Sequence, residues 1–324
     1  MKNIIAVPLL IGAFFFGNAQ TIEKFSIDSG GASVSEGNIQ LLYTIGEVNV
    51  QELSASSGSV SEGFINADLR VLIDTIVFLQ GPLLTPSTSG LMNDNLRASS
   101  LLPTTSPYED NATCNASVFN ATGSDAIVDW IWIELRSEND NQKLINARSA
   151  LVQRDGDVVD GDGISPVIMQ AAPTNYFVVL KHRNHLGAMS AASINLSHMT
   201  STLVDFTSSG FSTFGSNAQV ILSSGNTALW SGDTNQDDSI TFSGSNNDVN
   251  EIKDFILADP ANILNFTTYV SSGYLLQDLD LNAAARFSGS PNDSNTIKDN
   301  VLNHPANILN LPTFNINSTV PPRN

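Results

Sequence analysis

A segment near the C-terminal end of this chain occurs twice, about 45 residues apart, and both copies open on oxygen-bearing side chains at alternate positions. The first copy begins Asp233-Thr234-Asn235-Gln236-Asp237-Asp238-Ser239-Ile240 and continues through Phe242-Ser243-Gly244-Ser245-Asn246-Asn247-Asp248. It then runs through Ile252-Lys253-Asp254 and closes on Pro260-Ala261-Asn262-Ile263-Leu264-Asn265. The second begins Asp278-Leu279-Asp280-Leu281-Asn282 and continues through Phe287-Ser288-Gly289-Ser290-Pro291-Asn292-Asp293. It passes Ile297-Lys298-Asp299 and closes on Pro305-Ala306-Asn307-Ile308-Leu309-Asn310. Each copy therefore predicts a loop, a helix and a stop.

Side-chain oxygens at positions 1, 3 and 5 of a tight loop suit a hard cation such as calcium, which takes about six to eight oxygen ligands. Those positions are Asp233, Asn235 and Asp237 in the first loop and Asp278, Asp280 and Asn282 in the second. The backbone carbonyl expected at position 7 falls at Ser239 and Ala284. No acid occupies position 12, where Gly244 and Gly289 stand, and the next carboxylates are Asp248 and Asp293, each at the start of an apolar helical pattern. The spacing predicts a lengthened loop that closes on those two aspartates. A glycine at position 6 is replaced by Asp238 and Ala283, so the turn is expected to be made differently. Asp and Asn also populate ordinary turns without metal. The duplication and the mutual repulsion of the acids favour two Ca²⁺ sites, filled at extracellular calcium even with affinities of about 10⁻⁴ to 10⁻³ M. Metal binding is expected to be coupled to folding, with Ile252, Phe255, Ile256, Ile263 and Leu264 forming the small apolar core of a helical pair.

This tandem of Asp-x-Asn-x-Asp-type loops, each followed by a helix, resembles the type I dockerin, a pair of F-hand calcium motifs of extracellular bacterial proteins. The likeness covers about the last quarter of the chain. It implies a cohesin-like partner.

The opposite end reads as an export signal. Met1-Lys2-Asn3 is basic, Ile4 to Phe16 is an apolar run too short to span a bilayer, and Gly17-Asn18-Ala19 supplies small residues for cleavage before Gln20. A net charge of −18 with 14 Lys plus Arg disfavours nucleic acid and anionic membranes as partners. Cys114 alone can form no internal disulfide. No later apolar stretch predicts membrane insertion.

Between these ends the chain divides into 20–68, 70–228, 229–314 and a tail at 315–324 expected to be flexible. Residues 20–68 are Ser- and Gly-rich, with Ser33-Val34-Ser35-Glu36-Gly37 recurring as Ser59-Val60-Ser61-Glu62-Gly63, and predict a few short antiparallel strands. The Ser29-Gly30-Gly31, Tyr43-Thr44-Ile45-Gly46-Glu47 and Glu62-Gly63-Phe64-Ile65 elements resemble a module of exported Bacteroidetes proteins associated with type IX secretion. Strand signals follow at Val71 to Leu79, Ala126 to Leu135, Ala147 to Gln153, Val167 to Gln170, Tyr176 to His182, Ala191 to Leu196 and Ala218 to Leu222, with one short helix within Asn93 to Leu101. The pattern predicts a mainly β protein, an antiparallel Ig-like or jelly-roll-type sandwich followed by a small α-helical EF-hand pair. Leu91-Met92-Asn93-Asp94, Arg154-Asp155-Gly156-Asp157 and His182-Arg183-Asn184-His185 resemble a region of Bacteroidetes surface proteins described as haemagglutinin-like, which implies adhesion.

Four groups in this region invite chemistry. His182 and His185 offer two imidazoles, but three positions apart on one strand they would face opposite sides. Asp129 with Glu134 carries the residue types of a glycosidase acid and base. Asp160-Gly161-Asp162-Gly163 is a candidate for a third calcium turn. Trp130 and Trp132 predict a core pair or a sugar platform. No hydrolase nucleophile elbow, zinc helix or phosphate loop is present. The expectation is a secreted or cell-surface, non-enzymatic calcium-binding module that meets an extracellular protein or glycan. The alternative is a secreted carbohydrate or peptide hydrolase with its site in the middle β region.

Overall fold

The computed structural model describes the backbone at 30–36, 39–45, 52–55 and 58–61 and every residue from 69 to 324. The export signal expected at 1–19 lies outside the described residues. Two compact units are present, Met1–Ala67 and Asp68–Asn324. In the first, β1 (Gly30–Glu36) pairs antiparallel with β2 (Ile39–Ile45), and β3 (Glu52–Ala55) with β4 (Gly58–Ser61).

The second unit is mainly β. Its strands β5 (Val71–Ile76), β6 (Ile127–Ser137), β7 (Asp140–Gln153), β8 (Asp157–Val159), β9 (Val167–Met169), β10 (Asn175–His182), β11 (His185–Met189), β12 (Ile194–Asn195) and β13 (Thr202–Asp205) form one nine-stranded sheet. Its path is β11-β10-β6-β7-β8-β5-β13, with β12 on β10 and β9 on β5. All pairings are antiparallel except β5 with β13. Every residue from Ile127 to Arg136 on β6 is buried, the charged Asp129, Glu134 and Arg136 included, so the strand is covered on both faces. Side chains such as Trp130, Ile131 and Leu151 lie in one core with Phe206 and Leu229, each contributing about 1.5–3 kcal/mol through burial. The β7–β8 hairpin turns at Arg154-Asp155-Gly156, where Gly156 has φ +98° and a Cβ would lie 3.0 Å from the Val77 carbonyl oxygen. A short α-helix in this part, α1 (Asn95–Ala98), falls inside the stretch 93–101.

Short strands β14 (Val220–Ile221) and β15 (Thr227–Ala228) pair with each other and lead into the repeats. Helices α2 (Asp248–Ala258) and α3 (Asp293–Asn303) occupy equivalent positions, each opened by an asparagine whose side chain accepts the N–H three residues on: Asn247 from Asn250, Asn292 from Asn295. Each is followed by a buried asparagine that clamps the exit. Asn262 donates to the Ile256 and Phe266 carbonyls, and Asn307 to those of Val301 and Leu311.

Four three-residue strands tie the repeats into an exchange. β16 (Ser239–Thr241), from the first loop, pairs with β19 (Asn315–Asn317), which follows the second helix. β18 (Ala284–Arg286), from the second loop, pairs with β17 (Val270–Ser272), which follows the first helix. Neither repeat completes its own ladder, so the two fold together. Their shared core holds Ile240, Ile252, Ile256, Ala285, Ile297, Val301 and Ile316, joined by Leu186 and Trp230. Ile263 and Leu264, expected in this core, are instead 84% and 72% exposed, because the Asn262 clamp turns the chain outward before them. The tail expected to be flexible is also held: β19 is part of it, Val320 packs with Val179 and Met189, and Arg323 pairs with Glu134 at 2.7 Å. Among the described residues no helix is long and apolar enough to cross a membrane.

Candidate functional site

Both acid loops have the same backbone design. Left-handed conformations stand at positions 4 and 6, Gln236 (φ 60°) and Asp238 (φ 63°) in the first, Leu281 (φ 55°) and Ala283 (φ 75°) in the second. The turn assigned to glycine in an EF-hand loop is thus made by left-handed non-glycine residues, and not by another turn as the missing glycines suggested. What holds these conformations is the position-1 carboxylate: Asp233 accepts the N–H groups of Asp237 (3.1 Å) and Asp238 (3.2 Å), and Asp278 those of Asn282 (3.0 Å) and Ala283 (2.8 Å).

The late aspartates reach back to their loops from the first residue of each helix. Asp248 accepts from the Thr234 N–H at 2.8 Å and the Thr241 N–H at 2.7 Å. Asp293 does the same with Leu279 and Arg286, both at 2.7 Å. In the second loop one carboxylate oxygen each of Asp278, Asp280 and Asp293 lies within 4.8 Å of the others, an acidic triad that can hold a metal ion. Asn282 donates to Asp280 at 2.9 Å, and its own buried Oδ1 has no hydrogen-bond partner. A cation between these groups would satisfy that oxygen and offset the acids. In the first loop Asp237 is more outlying, accepting from Asn235 (3.0 Å) and from the Ser239 hydroxyl (2.6 Å). Ser239 and Ala284 begin the short strands β16 and β18.

Electrostatics separate these acids from ordinary surface carboxylates. Burial, with Asp248 and Asp237 close by, pushes the Asp233 carboxyl up to about 7. Burial and then Asp280 push Asp293 to about 7 as well. Asp278 is driven well above the usual carboxylate range by burial, Asp293 and Asp280. Burial likewise raises Asp248 and Asp280 against their hydrogen bonds. Crowded carboxylates of this kind favour the uncharged form until an opposite charge arrives.

Residue choice at positions 4 and 6 decides how each loop sits. Leu281 and Ala283 of the second loop are buried in the core of the main sheet, whereas Gln236 and Asp238 of the first loop remain exposed. Gly81 marks the docking point, since a Cβ there would stand 1.9 Å from the Leu279 carbonyl oxygen. Around it Gln80 and Asn300 exchange two hydrogen bonds, of 2.7 and 2.9 Å, and Ser231 donates to Leu279 at 2.8 Å. Asn184 donates to the carbonyls of Leu276 and Asp278, and Arg183 to that of Leu275.

The His182-Arg183-Asn184-His185 motif is therefore a joint between sheet and repeats. The two histidines do not face opposite sides of one strand. Arg183 and Asn184 form the tip of the β10–β11 hairpin, and His182 and His185 are cross-strand partners with Nδ1 atoms 3.0 Å apart. The polar pair Arg183-Asn184 between the two strands is the signal for that turn. Gly81 donates its N–H to His185 Nε2 at 3.1 Å, and His182 Nε2 lies 3.2 Å from Asp129 Oδ2. Asp129 also accepts from Arg183 Nε (3.0 Å) and the Tyr274 hydroxyl (2.6 Å). All four ring nitrogens have protein partners, which leaves none for a metal.

Asp129 and Glu134 are both held in buried ion pairs with arginine. Burial raises Asp129, but Arg183, His182 and Tyr274 outweigh it and hold the carboxyl at about 2. Glu134 is likewise lowered, its burial outweighed by Arg323, Lys181 and Arg136. A general acid needs a raised value, and neither group has one. Asp160 is engaged by Arg148 at 2.5 Å, and Asp162 accepts from the N–H groups of Ile164 and Ser165, so this Asp-Gly-Asp-Gly stretch is an ion-paired turn. No family model matches the chain, and neither does a curated protein or a solved structure.

Proposed function

We propose that the protein is an exported, non-enzymatic binding module whose C-terminal repeats carry two calcium ions, one per acid loop. Asp233, Asn235, Asp237, Ser239 and Asp248 would hold the first, and Asp278, Asp280, Asn282, Ala284 and Asp293 the second, with Ser239 and Ala284 contributing backbone carbonyls. The observation that carries this reading is the convergence of Asp278, Asp280 and Asp293 within 4.8 Å of one another, in the loop that also holds the unpartnered Asn282 oxygen. Three carboxylates at that spacing in a low-dielectric site repel one another strongly without a cation. Binding that pairs with folding then stabilises the interlocked repeats, in the manner of a dockerin-like pair.

The nine-stranded sheet, folded over its core as an antiparallel sandwich, would present the surface that meets an extracellular protein or glycan. Supporting the non-catalytic reading, the two histidines are closed into hydrogen bonds and the paired acids are held ionised by arginine. The export signal expected at 1–19 and the resemblance of the segment after it to exported proteins support an extracellular setting for this work. Titration calorimetry with calcium on the purified protein tests the reading. Two exothermic or endothermic equivalents, removed by a chelator, are expected.

A further inference from the structure

One edge of the nine-stranded sheet is open. β13 pairs with β5 on one side and, among the described residues, with no strand on the other. The N–H and C=O groups of successive strand residues point alternately to its two sides, and Phe206, next after β13, donates its N–H to the Ile76 carbonyl. Thr202 and Val204 therefore bond to β5, while the N–H and C=O groups of Leu203 and Asp205 point off the sheet. Leu203 is 60% exposed, so these groups are reachable from solvent. Outward groups of this kind are a template for one more strand.

The side chains beside the edge select what that strand can be. On one face Val204 is in register with Thr75 and Thr75 with Val158, and all three are buried. On the other face Leu203 lies beside Asp74, and Ile76 lies between Asp205 and Asp157. Three carboxylates and one exposed leucine thus share the face that meets solvent. Asp205 is held in place beside the edge, accepting the Thr207 N–H at 2.8 Å and its hydroxyl at 2.6 Å, both through Oδ1. Burial raises the Asp157 carboxyl, and so do Asp155, Asp74, Asp125 and Asp205, every one of them another acid. No Lys or Arg occurs at 71–96, 155–180 or 184–252, the stretches that supply β5, β8 and β13. Open edges are commonly blunted with lysine, and this one carries the opposite charge. At a net charge of −18 a second copy is repelled from it. A cationic segment is attracted, and the aliphatic stems of its side chains can cover Leu203 while their charged ends reach Asp205 and Asp74.

We propose that β13 is a docking edge for an extended, lysine- or arginine-bearing segment of a partner protein, added as a further strand through the outward N–H and C=O groups of Leu203 and Asp205. Main-chain bonds supply the pairing, and alternate cationic side chains beside the three aspartates supply the selection. This deepens the reading of the chain as an extracellular binding module and rests on it, since it names the class of partner such a module would meet. None of the proposed calcium ligands lies on β13, β5 or β8, so the edge and the metal sites are tested separately.

The test uses the full chain and three labelled eight-residue peptides: lysine alternating with valine, glutamate alternating with valine, and the lysine peptide with two valines replaced by proline. Fluorescence anisotropy is expected to show the first binding in the micromolar to millimolar range, weakened by added salt, and the other two not binding. Hydrogen exchange at the Leu203 and Asp205 amides is expected to slow severalfold with the first peptide bound, while that of Leu180 inside the sheet is unmoved. Leu203→Pro removes an outward N–H and no ladder donor, and is expected to weaken binding about fivefold, the scale of one hydrogen bond. Asp74→Asn with Asp157→Asn leaves the backbone edge intact and is expected to weaken it about threefold, the scale of exposed charge pairs. Thermal melts show that each variant folds. Failure of the lysine peptide to bind, equal binding of all three peptides, or protection absent from Leu203 and Asp205 overturns the proposal. Protection of those two amides by a second copy, in concentrated protein without peptide, overturns it as well. Calcium is titrated on the same samples: calcium binding without peptide binding removes the docking edge alone, whereas peptide binding without calcium binding removes the metal reading and keeps the edge.

Discussion

His185 Nδ1 stands 3.0 Å from His182 Nδ1, and the bonds around the two rings fix where the protons lie. His185 Nε2 accepts the Gly81 N–H, so His185 carries its proton on Nδ1 and donates toward His182. His182 then carries its proton on Nε2 and donates to Asp129. Both rings are neutral, and burial lowers both values, most strongly for His185, where His182 and Arg183 add to it. Nitrogen-15 NMR of the imidazoles is predicted to show one Nδ1–H and one Nε2–H tautomer, each persisting below pH 6.5.

The same pair makes a prediction about acid. A base whose folded value is depressed costs stability once the unfolded chain takes up protons, which begins near pH 6.5 for histidine. Stability carried by these residues is complete above that pH and falls as the pH drops below it. His182→Asn with His185→Asn is expected to lower the melting temperature at pH 8, through lost hydrogen bonds, while flattening the fall between about pH 6.5 and pH 5. Thermal melts across that range check it.

Loop carboxylates behave in the opposite sense. Asp233 and Asp293 are raised to about 7 in the folded chain, against about 3.9 when unfolded. Their ionisation costs stability above about pH 7, and the cost is relieved as the pH falls from there toward about 4. Calcium must displace those protons below pH 7. The gap in melting temperature between calcium-loaded and chelated protein is therefore expected to be widest near pH 8 and to narrow steadily toward pH 5. A gap independent of pH would contradict it.

Docking of the second loop is predicted to be far more sensitive than the first. Leu281 is fully buried, and Leu281→Ala is expected to cost about 2–5 kcal/mol. The equivalent Gln236 is exposed, and Gln236→Ala is expected to stay within about 0.5 kcal/mol. Gly81→Ala, with a Cβ 1.9 Å from the Leu279 oxygen, forces the repeats off the sheet and is expected to cost at least about 1–3 kcal/mol. Urea denaturation of the variants gives all three values.

Much of this was legible in the residues, and the parts that were not share a cause. The repeat announced itself because Asp, Asn and the helix starts recur at one spacing, and α2 and α3 begin at the aspartates that pattern selects. Strands β5, β6, β9 and β10 follow their apolar runs, while β11 and β13 give no such run, β11 being interrupted by Gly187 and β13 being only four residues long. Ile263 and Leu264 read as core because they are apolar, yet the exposure of both depends on one asparagine side chain turning the backbone. The strand exchange between repeats, the His182–His185 meeting and the Arg323 contact with Glu134 all join residues distant in sequence or across a turn. Local periodicity carries no record of such pairings.

Calcium titration by calorimetry, on the wild-type chain beside Asp293→Asn and Asp248→Asn, tests the central claim most directly. Two bound ions are predicted for the wild type and one for each variant, and the melting temperature is predicted to rise with calcium, each site contributing about 2.7 kcal/mol at about 100-fold excess over its Kd. A wild-type titration without heat, together with a melt unchanged by chelator, would contradict the account.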